Sequence, residues 1–105
     1  SAPAVIDTGA TYVTIGEKLA KELGLDLETA PEMQIQAIGA ARVGRRVLIP
    51  NIAIQDATAK NVAALVVPQV FAGDDATVLL GLSFLTRFRF SMDVEAGQIT
   101  LEPLD

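Results

Sequence analysis

Asp7-Thr8-Gly9-Ala10 combines a carboxylate, a small hydroxyl residue and a glycine in consecutive positions. One apolar run, Ala4-Val5-Ile6, leads into this tetrad, and a second, Tyr12-Val13-Thr14-Ile15, follows it. Ionised carboxylates normally stay at the surface, because burying one without partners is costly. Here one is carried to the end of an apolar strand. Backbone N–H groups of its own loop can hold it, and the glycine leaves one side open to approach. Such a tetrad arises by chance in roughly one chain of this length in a few hundred. Taken alone, Asp7 equally suits a turn whose carboxylate caps its own loop.

The composition removes most other chemistries. The chain of 105 residues contains no cysteine and no histidine. A Ser-His-Asp triad, a Cys-His pair, a His/Cys zinc site and a disulfide framework are therefore excluded, and no metal or cofactor is expected. A net charge of −5 argues against a phosphate-binding surface, so no nucleic-acid partner is expected. Arg42, Arg45 and Arg46 cluster, but arginines on a hairpin usually make a solvated face. No apolar run approaches the roughly 20 residues that span a bilayer. Without cysteine, the chain fits any redox compartment.

The elements that must position Asp7 are mostly strands. Half the residues are hydrophobic, enough for one core and one domain over residues 1–105. Val5–Asp7 and Thr11–Ile15 read as short strands. Glu17–Leu23 reads as a helix stopped by Gly24. Met33, Ile35 and Ala37 alternate with polar neighbours, and residues 32–49 read as a hairpin reversing at Ile38-Gly39-Ala40-Ala41. Ile52–Ile54 and Val62–Val67 form a second hairpin with its turn at residues 55–58. Gly73-Asp74-Asp75 is a loop, Val78-Leu79-Leu80 a core strand, and Leu82–Phe88 a helix of about two turns by its apolar spacing. Phe90–Val94 and Gln98–Glu102 close the chain as a third hairpin. The expected fold is mostly β, closed or barrel-like, with one or two short helices.

Two motifs in order carry a family resemblance: Asp7-Thr8-Gly9-Ala10 early, and Leu79-Leu80-Gly81 ahead of a short helix late. The chain resembles the single-domain aspartic proteases of the retropepsin type over nearly its whole length. The resemblance implies that Leu79, Leu80 and Gly81 thread beside the Asp7 loop and support it. It differs from the viral members at two linked places. Thr11 stands where they usually have Asp, and Leu82 where they usually have Arg. Those two side chains form an ion pair in the viral fold. Losing one alone would strand a buried charge at about 3–5 kcal/mol, whereas losing both is coherent. The pattern around Leu79-Leu80-Gly81-Leu82-Ser83-Phe84-Leu85 is similar to that of the bacterial members.

The resemblance implies an endopeptidase that needs two carboxylates about 3 Å apart sharing one proton. Asp74, Asp75 and Asp93 lack a following Thr/Ser-Gly, so a second loop must come from a second copy of the chain. The implied enzyme is a homodimer with one Asp7 from each subunit. Thr8 would lock the two loops together, and Gly9 would let a peptide backbone approach. Ala10 would line the pocket floor, and Ile38, Gly39 and Ala40 would sit at the tip of a flap over an extended polypeptide substrate. The competing reading is a non-catalytic dimerisation or peptide-binding module of the same fold. A small-ligand β domain has no supporting motif. The chain opens on Ser1-Ala2-Pro3 just ahead of the motif. This reads as a fragment lacking the N-terminal strand that usually precedes the catalytic one. The bacterial members imply a periplasmic or membrane-anchored parent protein, although no anchor is visible in this stretch.

Overall fold

Alternation of apolar residues decides which face of each strand is buried. In β2 (Val13–Gly16), Val13 and Ile15 are fully buried while Thr14 between them is not. In β5 (Ala57–Val67), Val62, Ala64 and Val66 repeat the pattern. The computed structural model describes residues 3–37, 40–54, 57–70 and 76–104. The remaining strands are β1 (Ala4–Ile6), β3 (Glu32–Ala37), β4 (Ala40–Ile54), β6 (Val78–Leu80), β7 (Phe88–Asp93) and β8 (Gln98–Pro103). Two short helices, α1 (Glu17–Glu22) and α2 (Leu82–Leu85), accompany them. The fold is mostly β, as expected: a curled, half-barrel sheet and a separate hairpin.

The six-stranded sheet has the order β1-β6-β2-β5-β4-β3, and β7 pairs with β8 apart from it. β6 is therefore inserted between β1 and β2, the two strands that flank the Asp7 loop. It runs parallel to β1 (Ile6 opposite Leu80) and antiparallel to β2 (Thr14 opposite Leu79). A segment some 70 residues downstream thus lies between the two arms of the loop.

The core forms where both helices meet the Val13/Ile15 face. Ala20 of α1 and Phe84 and Leu85 of α2 are fully buried there, beside Leu80 and Val62. Each large apolar side chain so buried contributes about 1.5–3 kcal/mol. Phe84 also meets Phe88 with ring centroids 5.1 Å apart in a tilted arrangement. Glu17 in the first turn of α1 and Lys21 in the last complement the helix dipole. The helix stops as expected. Gly24 takes φ +76°, its N–H donates to Lys21 O (3.0 Å), and Leu25 N–H donates to Ala20 O (3.1 Å). Both bonds of a glycine-terminated helix end are thereby made.

Beyond shifts of one or two residues at element ends, three features differ from the sequence expectation. β4 does not break at Pro50 but runs on to Ile54, making one long hairpin with β5. The ladder skips only the Pro50–Asn61 step, where Asn61 has φ +53°. β3 pairs with β4 only as far as Arg45, so no strand on that side needs a donor from Pro50. The expected second helix is shorter, because Phe88 belongs to β7 instead. The expected turn at residues 55–58 differs in part, since Ala57 and Thr58 belong to β5. Residues 55 and 56 lie outside the described residues, as does the expected loop Gly73-Asp74-Asp75.

Candidate active site

Asp7 leaves β1 with its N–H donating to Leu80 O at 3.0 Å, continuing the β1–β6 pairing by one step. The chain then reverses over Thr8 and Gly9, and Ala10 N–H donates to Asp7 O at 3.2 Å. The Gly9 N–H donates to Asp7 Oδ1 at 2.9 Å. The carboxylate is thus held by the backbone amide two residues on, within its own tight turn. Asp7 is half-buried, while Thr8 and Gly9 are exposed at the corner. A side chain at Gly9 would crowd the carboxylate, since its Cβ would lie 3.2 Å from Asp7 Oδ1.

The segment after β6 closes on the other side of the loop. Leu82 N–H donates to Ala10 O and Ser83 N–H to Thr11 O, both at 2.8 Å. Two adjacent main-chain bonds thus tie the start of α2 to the end of the Asp7 loop. The fit leaves no room for a side chain at Gly81. A Cβ there would lie 2.3 Å from Tyr12 O and 2.7 Å from Ala10 O. The Ser83 hydroxyl accepts the Val13 N–H at 2.9 Å and donates to Ala63 O at 2.7 Å, bridging the start of β2 to β5.

Beside the loop lies a groove of about 460 Å³. It is lined by Asp7, Gly9, Ala10, Thr11 and Tyr12 of the loop, by Thr14 of β2, by Leu65 of β5, and by Met33 and Gln34 of β3. The structure thus brings Asp7, Gly9 and Ala10 together with the base of the β3–β4 hairpin. Ile38 and Gly39 lie outside the described residues, and only the backbone of Ala40 is described, opposite Ala37. Leu79 sits between Val5 and Thr14 in the sheet register.

Sequence reasoning missed several residues. Met33 and Gln34 reach the groove because β3 folds back along β4, which no local pattern reveals. Ser83 stands in a helical apolar run and reads as a spacer. The arginines are not a uniformly solvated face. Arg45 donates to Ala30 O (3.1 Å) and pairs with Glu32 (3.2 Å), tying the entry of β3 to β4. Arg46 places its guanidinium 5.9 Å from the centroid of the Tyr12 ring. The side chain of Arg42 lies outside the described residues.

Known proteins resemble the chain in sequence and in fold. A family model described as aspartyl protease matches residues 1–84. Among solved structures, a retropepsin-like aspartic protease from Rickettsia conorii superposes with a TM-score of 0.67 at 23% identity, over 91% of this chain and 75% of that one. A search of curated proteins returned no match. At that identity the structural likeness speaks for the fold, and the family match spans four-fifths of the sequence, including the Asp7 loop and Gly81. The chain belongs to the aspartyl protease family and has the retropepsin-like fold.

Proposed function

We infer that the protein is an aspartic endopeptidase whose catalytic dyad is formed by Asp7 of two identical subunits. The observation that carries this is the Asp7 loop itself. Its carboxylate is fixed by the Gly9 amide, opens on a groove, and is flanked by exposed Thr8 and Gly9. No other Asp-Thr/Ser-Gly occurs in the chain. One subunit therefore supplies half of a dyad, and a two-fold axis through the exposed corner supplies the rest. Among the described residues, the Thr8 hydroxyl makes no hydrogen bond within its own chain, which leaves it available to the partner's loop.

With two such carboxylates facing each other, both cannot be ionised, and they hold one proton between them. The ionised carboxylate takes a proton from a water whose oxygen attacks the peptide carbonyl carbon. The protonated one gives its proton to the carbonyl oxygen, and a tetrahedral diol results. Its collapse breaks the C–N bond, with a proton returned to the leaving amine. An extended peptide would lie along the groove between the Asp7 loop and the β3–β4 hairpin.

The test is Asp7→Asn. It replaces both catalytic carboxylates with amides at nearly constant volume, so peptide cleavage should vanish while the melting curve and association state persist. Cleavage surviving in Asp7→Asn would end the assignment. A folded dimer of the natural sequence that binds peptides and never cleaves them would establish the binding-module reading instead.

A further inference from the structure

Arg46 stands at the end of a row that crosses five strands. The register places Val5 opposite Leu79, Leu79 opposite Thr14, Thr14 opposite Leu65 and Leu65 opposite Arg46. Paired residues share a face of a sheet, so Arg46 projects on the side where Thr14 and Leu65 line the groove beside Asp7. Its guanidinium lies over Tyr12, another residue of that groove, at 5.9 Å from the ring centroid. Arg45 next to it is committed to Ala30 O and Glu32. Arg46 has no carboxylate partner among the described residues, and is exposed. An uncompensated cation at the edge of this groove stands out in a chain of net charge −5.

The pairing with Tyr12 has a chemical consequence. An aromatic face attracts a guanidinium and restrains where it sits, while its N–H donors stay free to meet another group. The guanidinium's own planar fork of donors matches a carboxylate, which can accept two of them in parallel. An extended peptide in the groove presents every second side chain to the same face. One such side chain would reach past Leu65 to the Arg46 edge.

We propose that Arg46, held on Tyr12, is a specificity-determining residue that selects peptides bearing a carboxylate side chain at one position near the scissile bond. The proposal rests on the peptide-hydrolase reading of the groove. Arg46 lies at a solvent-exposed rim, so the preference is moderate: about three- to tenfold for Glu over Gln at that position, weakening as salt is raised. An arginine that merely covers the Tyr12 ring would give no dependence on peptide charge.

The experiment uses a set of peptides differing only by Glu, Gln or Lys at each position flanking the cleaved bond. Cleavage by the natural chain, Arg46→Met and Arg46→Glu is compared as ratios of kcat/KM within each protein. At one position the natural chain should favour Glu over Gln. Arg46→Met should flatten that ratio, and Arg46→Glu should turn it towards Lys. Equal Glu/Gln ratios in all three proteins at every position would overturn the proposal. If the natural chain cleaves none of the peptides, the hydrolase reading fails separately. Fluorescence anisotropy with the same peptides then decides about Arg46. A Glu preference in binding that Arg46→Glu abolishes supports the proposal, and binding indifferent to charge overturns it.

Discussion

The Ser83 hydroxyl accepts the Val13 amide at 2.9 Å across 70 positions of sequence, and passes its own proton to Ala63 O at 2.7 Å. This single side chain bridges β2 and β5 just where they begin to pair side by side, at Val13 and Ala64. Removing the hydroxyl leaves an amide and a carbonyl without partners in a part-buried place. Ser83→Ala should therefore cost about 1–3 kcal/mol. For a domain of this size that is a fall in melting temperature of roughly 5–15 °C, read by calorimetry. An unchanged melting temperature would show that the bridge contributes nothing.

Gly81→Ala should be the more damaging change. The added methyl would lie 2.3 Å from Tyr12 O and 2.7 Å from Ala10 O, both backbone atoms that cannot swing away. Overpacking of this kind costs about 1–3 kcal/mol or more, and relief requires moving the Asp7 loop off β6. Denaturant unfolding should show a lower midpoint than that of Ser83→Ala. A midpoint equal to the natural chain's would mean that the loop is not held this closely.

Acid titration should reveal a third local device, in the connector after α1. Thr29 Oγ1 donates to Asp26 Oδ2 at 2.7 Å, and the amides of Glu28 and Thr29 donate to Oδ1. The Thr29 hydroxyl bond, with the Thr29 amide next in importance, holds the Asp26 carboxyl below the usual carboxylate range. A carboxyl with a lowered folded-state pKa adds stability above its unfolded-state value, and this is lost as pH falls through the folded-state value. Titrating Asp26 by carbonyl NMR should give a midpoint below that of a free Asp, and Thr29→Val should raise it. A midpoint unmoved by Thr29→Val would contradict the assignment.

What was legible in the sequence, and what was not, follows from how far each interaction reaches. The end of α1 was readable because Gly24 and the apolar spacing of Leu19, Ala20 and Leu23 act within a few residues. The motif pair was readable because Asp7-Thr8-Gly9 and Leu79-Leu80-Gly81 are each contiguous. The continuity of β4 was not. Pro50 punctuates a strand locally, and its tolerance depends on the β3–β4 pairing stopping at Arg45 and on Asn61 opposite taking a left-handed backbone. The extent of α2 was equally hidden, because Phe84, Leu85 and Phe88 fit a helical stripe as well as a helix followed by a strand. In the groove, Asp7, Met33, Gln34 and Leu65 come from segments that only the sheet order brings together.

The central claim is that each catalytic dyad takes one Asp7 from each of two subunits, and a mixing experiment tests it most directly. A fixed amount of the natural chain is equilibrated with a growing excess of Asp7→Asn, at concentrations where sedimentation shows dimers, and peptide cleavage is followed. Natural chains captured in mixed dimers retain one Asp7 and one amide, which cannot serve as acid and base in the same step. Activity should fall towards zero as the excess grows, following the fraction of dimers with two natural subunits. Activity that stays constant while mixed dimers demonstrably form would show that one Asp7 suffices, and would contradict the account.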